Sequence, residues 1–144
     1  MIKIALIGSG NVAQHLIKAF AKSNEIDIVQ FFSRRKEVLD QLVDSSKITN
    51  DFHTLVEADL YIIAVSDNAI AAVSSQLPFE NRFVVHTSGS VSIDALDPKN
   101  RSGIFYPLQT FSKKASVDFS QIPLCLESKN KSDFELLKKV AQTV

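Results

Sequence analysis

A short glycine-containing segment near the start of the chain has the residue types and spacing of a phosphate-binding loop. The segment reads Gly8, Ser9, Gly10, Asn11, Val12 and Ala13, and it lies between an apolar run and a stretch with helical periodicity. Gly8 would permit a tight turn, Gly10 would leave room for a pyrophosphate beside the backbone, and Ala13 would take the small position where helix and strand pack closely. Free amides at the start of the helix would hold the phosphates. We therefore predict a nucleotide-binding loop, with a plain strand-to-helix turn as the alternative.

Three polar residues, Ser33, Arg34 and Arg35, follow the second apolar run, and Ser33 lies 23 positions after Gly10, close to the expected spacing of about 20. In dinucleotide-binding proteins this position contacts the adenosine ribose, and a carboxylate there binds the 2′-hydroxyl of NAD. A carboxylate would repel a 2′-phosphate, whereas arginine offers several donors and a flat stacking face. The segment therefore predicts NADP as the cofactor in preference to NAD, unless the arginines are simply a solvated start to the next helix.

Two more polar segments follow predicted strands, and the carboxyl ends of parallel strands meet at one edge of a sheet. The first, from Ala64 to Asn68, contributes Ala64, Val65 and Ser66, and the second, from His86 to Ser90, contributes His86, Thr87 and Ser88. We expect the first segment and Thr87 to contact the cofactor, and His86 and Ser88 to be catalytic. The imidazole of His86 could act as an acid or base near neutral pH, or it could hydrogen-bond the backbone of its own loop.

Short apolar runs alternate with amphipathic stretches, and this pattern predicts the elements that carry these residues. The predicted strands are Ile2 to Ile7, Ile26 to Phe32, a short one at Ile48, Leu60 to Val65, Phe83 to Val85, Gly103 to Phe105 and Leu124 to Leu126. The predicted helices are Asn11 to Lys22, Arg35 to Val43, one that carries Ile70, Val73 and Leu77, and one that starts at Ser132 and runs to Val144. The alternation predicts an α/β fold of the Rossmann type, doubly wound, with a mostly parallel sheet and helices on both faces.

Two helix starts carry capping residues. Asp67 or Asn68 is predicted to cap the third helix through its side chain. Ser132 and Glu135 have the spacing of a capping box, in which each satisfies an amide of the first turn, so we predict that they cap the last helix.

Composition narrows the class of protein. The 144 residues fit one domain, and 45% of them are hydrophobic, which is enough for a core. Sixteen basic and sixteen acidic residues give no net charge, so we expect no nucleic-acid or membrane partner. Cys125 is the single cysteine, which excludes an internal disulfide and a cysteine metal cluster; we predict that it packs in the core and that no metal is bound. Without a signal peptide or a bilayer-length apolar run, the expected location is cytoplasmic.

Four segments together resemble one protein family. They are residues 7–13, 64–67, 85–90 and 105–111, which read IGSGNVA, AVSD, VHTSGS and FYPLQTF. They are similar to the Rossmann-like NADP oxidoreductases of unassigned function that are grouped with pyrroline-5-carboxylate reductase and the 6-phosphogluconate dehydrogenase superfamily. The resemblance implies hydride transfer between nicotinamide and a small imine or carbonyl substrate. It also implies that Tyr106, Gln109 and Thr110 line the substrate cleft, unless they pack the loop around Pro107.

The resemblance also implies a second, all-helical domain that forms a homodimer and closes the substrate cleft. No segment of residues 1–144 corresponds to it. We therefore expect the chain to be a single NAD(P)-binding domain, active as an NADP-dependent oxidoreductase only when joined to such a helical domain. A non-catalytic nucleotide-binding or redox-sensing module is the alternative.

Overall fold

A single seven-stranded sheet organises the chain in the computed structural model, which describes residues 1–108 and 122–144. Its strands are β1 (Ile2–Ile7), β2 (Ile26–Phe32), β3 (Ile48–Thr49), β4 (Leu60–Ile63), β5 (Phe83–His86), β6 (Arg101–Pro107) and β7 (Leu124–Ser128). They lie in the order β3-β2-β1-β4-β5-β6-β7, and only the β6–β7 pair is antiparallel. The chain builds outward from β1 in one direction and then, from β4, in the other, so a crevice forms between β1 and β4 at the carboxyl ends.

Helices cover both faces of this sheet. They are α1 (Asn11–Ala21), α2 (Lys36–Leu39), α3 (Ile70–Gln76) and α4 (Lys131–Gln142). One apolar cluster joins α1 and α4 to one face through Leu16 and Leu137, and a second joins α3 to the other face through Val73. The predicted Rossmann-type, doubly wound α/β fold is confirmed. Among the described residues, no helix is long and apolar enough to cross a membrane.

The apolar run in β4 shows why the sheet needs two covers. All four residues of this strand are completely buried. Leu60 and Ile62 belong to the cluster beneath α1 and α4, whereas Tyr61 and Ile63 belong to the cluster beneath α3. Because side chains alternate between the faces of a strand, a run without polar residues requires apolar neighbours on both sides.

Both predicted helix caps are wrong. The cap of α4 is Asn130, whose side chain accepts a hydrogen bond from the Asp133 amide at 2.8 Å, while Ser132 lies inside the helix. Asn130 takes precedence because its backbone is extended, with φ of −140°, as a capping residue requires. The start of α3 has no side-chain cap, and Asp67 lies in a short 3₁₀ turn before it.

Two further predictions need correction. The second helix was expected over Arg35 to Val43, but α2 spans only Lys36–Leu39. Cys125 was expected in the core, but its side chain is exposed. Leu124 and Leu126 pack against the core from β7, so Cys125, which lies between them, faces the other way.

Candidate functional site

A cleft of about 880 Å³ opens at the carboxyl ends of β2, β1, β4 and β5, where the strand order reverses. Its volume is in the range of cofactor sites, roughly 300–1,000 Å³. Every predicted cofactor contact except Ala13 lines it, namely Gly8, Ser9, Gly10, Asn11, Val12, Ser33, Arg34, Arg35, Ala64, Val65, Ser66 and Thr87. Tertiary structure thus brings the three polar segments found in the sequence to one place.

The floor of the cleft is the turn after β1. Hydrogen bonds tie this turn to both neighbouring strands: the Gly8 amide donates to the Phe32 carbonyl at 2.9 Å, and the Ala64 amide donates to the Ile7 carbonyl at 2.7 Å. Gly8 has φ of +127°, and a Cβ there would lie 2.1 Å from the carbonyl oxygen of Ala64. Only glycine fits at this point, as the sequence predicts for a tight turn.

The start of α1 has the features of an anion site. Gly10 caps the helix without a side-chain hydrogen bond, and the first turn holds no acidic residue. A Cβ on Gly10 would meet no atom within 4 Å, so the space above it is open to a ligand. The Gln14 side chain donates to the Ser9 carbonyl at 2.8 Å and steadies the loop. Backbone amides and the helix dipole therefore face open space where a phosphate can approach.

Ala13 differs from its neighbours because it is completely buried and belongs to the cluster beneath α1. It does not line the cleft. This placement fits the packing role predicted for the third small position, where helix and strand approach closely.

A fixed turn at the end of β2 presents two arginines. Ser33 is buried, and its hydroxyl donates to the Arg35 carbonyl at 2.9 Å and accepts from the Arg35 amide at 3.2 Å. Arg34 and Arg35 are exposed and line the cleft. Within residues 1–108 and 122–144, neither guanidinium forms an ion pair, since both ion pairs there involve other residues. Two cations are thus available to an anionic ligand at this side of the cleft.

The opposite side is formed by the ends of β4 and β5, which a side-chain hydrogen bond connects. The Ser90 hydroxyl donates to Oδ2 of Asp67 at 2.8 Å. Asp67 lines the cleft with Thr87. The sequence predicts that the segment from Ala64 to Asn68 lies at the cofactor and that Asp67 or Asn68 caps the next helix, but it does not single out Asp67 as a cofactor contact.

His86 lies beneath this loop instead of in the cleft. It is completely buried, and its Nδ1 accepts from the Ser88 amide at 3.0 Å. Nε2 lies 3.3 Å from the Ser92 carbonyl, and because a carbonyl only accepts, Nε2 carries the proton. Burial lowers the pKa of His86, although nearby backbone acceptors and the carboxylate of Asp67 oppose this effect. These are the loop-backbone hydrogen bonds that the sequence analysis named as the alternative; catalysis by His86 stays a prediction.

Ser88 is also buried, and it is not among the described residues that line the cleft. Its hydroxyl accepts from the amides of Ser90 and Val91 at 3.2 and 3.3 Å. These bonds shape the loop, and the catalytic role assigned to Ser88 from the sequence remains a prediction. Within the described ranges, no group of three or more potential metal ligands is present.

Sequence comparison assigns the family. The model of a family described as NADP oxidoreductase, coenzyme F420-dependent, matches residues 3–90, more than half of the chain. The chain belongs to this family. The match includes the phosphate loop, both arginines and the loop from His86 to Ser90, which confirms the resemblance to NADP oxidoreductases. The family member is thus an NAD(P)-binding domain of the oxidoreductase type.

Solved structures of longer proteins resemble this chain, which is called the family member below. Over 99% of its length it is 35% identical to an inferred NADP oxidoreductase from Bacteroides fragilis, with a TM-score of 0.85, and it covers 57% of that chain. A Thermotoga maritima protein is 19% identical over 98% of the family member, with a TM-score of 0.75, and 55% of it is covered. Prephenate dehydrogenase from Aquifex aeolicus, solved with hydroxyphenyl propionate and NAD+, is 13% identical over 99%, with a TM-score of 0.76 and 57% covered.

The two more distant structures show the shared fold alone. The family member spans little more than half the length of all three chains. No curated protein sequence matches it.

Of the three residues predicted to line the substrate cleft, the structure describes Tyr106 alone. Tyr106 lies in β6, and its ring packs on Gly89, where a Cβ would come within 2.3 Å of the ring. Tyr106 is not among the residues that line the cleft. Gln109 and Thr110 lie outside the described residues. The substrate contacts of all three therefore stay predictions.

Proposed function

We propose that the family member is the NADP(H)-binding domain of an oxidoreductase that transfers a hydride between nicotinamide and a small imine or carbonyl substrate. The observation that carries the cofactor preference is the pair Arg34 and Arg35, exposed at the end of β2 without an ion-pair partner among the described residues. The only acidic residue among those described as lining the cleft is Asp67, after β4. Guanidinium groups bind a phosphate through several charge-assisted hydrogen bonds.

Each part of the cleft has a role in this proposal. The amides at the start of α1 bind the pyrophosphate, in the open space above Gly10. Arg34 and Arg35 bind the 2′-phosphate, and Ser33 holds their turn through the Arg35 backbone. When bound, the nicotinamide supplies the hydride chemistry, and the protein orients it.

Calorimetry with NADP+ and NAD+ tests the cofactor preference. We expect NADP+ to bind at least about tenfold more tightly, since charge-assisted hydrogen bonds contribute about 1.5–3 kcal/mol each. The double variant Arg34→Ala/Arg35→Ala should lose this advantage while its NAD+ affinity changes little. Lys138→Ala, which removes one exposed positive charge on α4, is the matched control and should bind both as the wild type does. Tighter binding of NAD+ by the wild type would overturn the NADP preference.

The hydride-transfer part of the proposal requires a turnover assay. The chain spans about 57% of the Bacteroides fragilis relative, so we propose that activity and a homodimer belong to a full-length protein with a helical domain. NADPH oxidation by that protein is measured with a panel of imino acids, 2-keto acids and the coenzyme F420 that the family description names. Turnover of an imine or carbonyl compound supports the proposal. Tight NADPH binding without turnover of any candidate would instead favour a non-catalytic nucleotide-binding or redox-sensing module.

A further inference from the structure

The charged residues that line the cleft are arranged with opposite signs on its two sides. Among the described lining residues they are Arg34 and Arg35, after β2, and Asp67, after β4. Strand β1 lies between β2 and β4, so the two strand ends are about 10 Å apart at the usual strand spacing. The cleft is therefore positive on one side of the phosphate loop and negative on the other.

The carboxylate of Asp67 is held in place by the loop after β5. The Ser90 hydroxyl donates to Oδ2 of Asp67 at 2.8 Å, and the hydroxyl oxygens of Ser88 and Ser90 are 3.3 Å apart. Because the Ser88 oxygen accepts from the amides of Ser90 and Val91, its own proton is available to the Ser90 oxygen. Two hydroxyls in sequence thus lead to one oxygen of the carboxylate.

We propose that Asp67 makes the cleft bind the oxidised dinucleotide more tightly than the reduced one. The proposal rests on the proposed function, in which the 2′-phosphate binds Arg34 and Arg35. A dinucleotide spans the two halves of such a sheet, so with its adenosine half beside β2 its nicotinamide half lies beside β4 and β5. The oxidised nicotinamide ring carries a positive charge and the reduced ring is neutral. The carboxylate attracts only the oxidised ring through this charge.

This preference has a consequence for the reaction. A site that binds the oxidised form more tightly makes the bound reduced form a stronger hydride donor, because oxidation then gains the difference in binding free energy. Asp67 would thus favour reduction of the substrate. Ser90 would be a positioning residue, since it acts only through the carboxylate that it contacts.

Calorimetry with three probes tests this inference without requiring turnover. The probes are NADP+, NADPH and 2′,5′-ADP, which lacks the nicotinamide. The Asp67→Asn variant can still accept a hydrogen bond from Ser90. We expect its affinity for NADP+ to fall relative to its affinity for NADPH by about threefold or more at low salt. Binding of 2′,5′-ADP should not change. Ser90→Ala should shift the ratio in the same direction by less, and Glu135→Gln, an exposed carboxylate on α4, is the matched control and should leave it unchanged.

The outcomes separate the inference from the function on which it rests. If Asp67→Asn leaves the ratio of the NADP+ and NADPH affinities unchanged, the inference is overturned, while wild-type NADP+ binding still supports the proposed function. Equal weakening of all three probes would also overturn it, since that result indicates a structural role. Failure of the folded wild type to bind 2′,5′-ADP or NADP+ would refute the proposed function itself. Circular dichroism checks the fold, and Asp67→Ala replaces Asp67→Asn if the latter does not fold.

Discussion

Gly8 and Ala64 are in direct backbone contact at the point where the strand order reverses. A Cβ on Gly8 would lie 2.1 Å from the carbonyl oxygen of Ala64 and 2.8 Å from its carbonyl carbon. Gly8 also has φ of +127°, a conformation that residues with side chains rarely adopt. The floor of the nucleotide cleft therefore depends on a residue without a side chain, and the effects of substitution differ sharply between the two glycines of the loop.

Gly8→Ala should destabilise the fold. The new methyl group would overlap the Ala64 backbone, which cannot move without disturbing β4. Together with the strained φ, this should lower the free energy of unfolding by about 2–4 kcal/mol. Urea denaturation measures the change, and a loss below about 0.5 kcal/mol would show that the turn is less constrained than the structure indicates.

Gly10→Ala should leave the fold stable but weaken cofactor binding. Its φ of −81° suits any residue, and the Cβ would meet no atom within 4 Å. We expect unfolding free energy equal to that of the wild type, or higher by about 0.4–1 kcal/mol. The methyl group would occupy space that a phosphate needs, so NADP+ affinity should fall by about tenfold or more, which is about 1.4 kcal/mol. Calorimetry and urea denaturation on the same sample check both parts, and undiminished affinity would place the pyrophosphate elsewhere.

Asn130→Ala should weaken the last helix, whereas Ser132→Ala should not. The Asn130 side chain accepts from the Asp133 amide at 2.8 Å and donates to the Asp133 carboxylate at 2.7 Å. Loss of a capping side chain lowers the free energy of unfolding by about 1 kcal/mol. Ser132 is exposed and its hydroxyl donates to the Asn130 side chain at 3.2 Å, so its loss should have an effect within about 0.5 kcal/mol. Thermal or urea unfolding compares the two, and a larger effect at Ser132 would restore the capping box.

His86 should make the fold sensitive to acid. Burial lowers the pKa of His86 below the ordinary value of 6.5, so the unfolded chain binds this proton more readily than the folded one. The stability that depends on neutral His86 is therefore complete above about pH 6.5 and is lost as the pH falls below it. His86→Asn keeps an acceptor for the Ser88 amide but does not titrate. The difference in unfolding free energy between wild type and variant should shrink from pH 8 to pH 5, and a constant difference would refute this account.

The first part of the fold could be predicted closely because its signals are local. The strands Ile2–Ile7 and Ile26–Phe32 have the predicted bounds, and α1 ends one residue before the predicted end. A short apolar run and a glycine turn between a strand and a helix depend on neighbours a few residues apart. The same local pattern failed for α2, where helical spacing of apolar residues does not ensure that the helix continues.

Side-chain direction could not be predicted where partners come from distant parts of the chain. The Asp67 carboxylate contacts Ser90, and the choice between helix cap and inter-strand contact depends on how β4 and β5 pair. His86 is of a residue type common in catalysis. Its ring is nevertheless buried and faces the backbone of its own loop, because β5 is covered on both faces.

By itself, the sequence determined the α/β alternation, the phosphate loop with its two glycines and the arginines after the second strand, because these follow from residue types at short spacing. Tertiary structure alone decided that the two arginines and Asp67 lie on opposite sides of one cleft, that Gly8 touches Ala64, and that Cys125 faces outward. Strand order and sheet register join residues far apart in the chain, and those pairings depend on burial of the whole sheet and not on any local pattern.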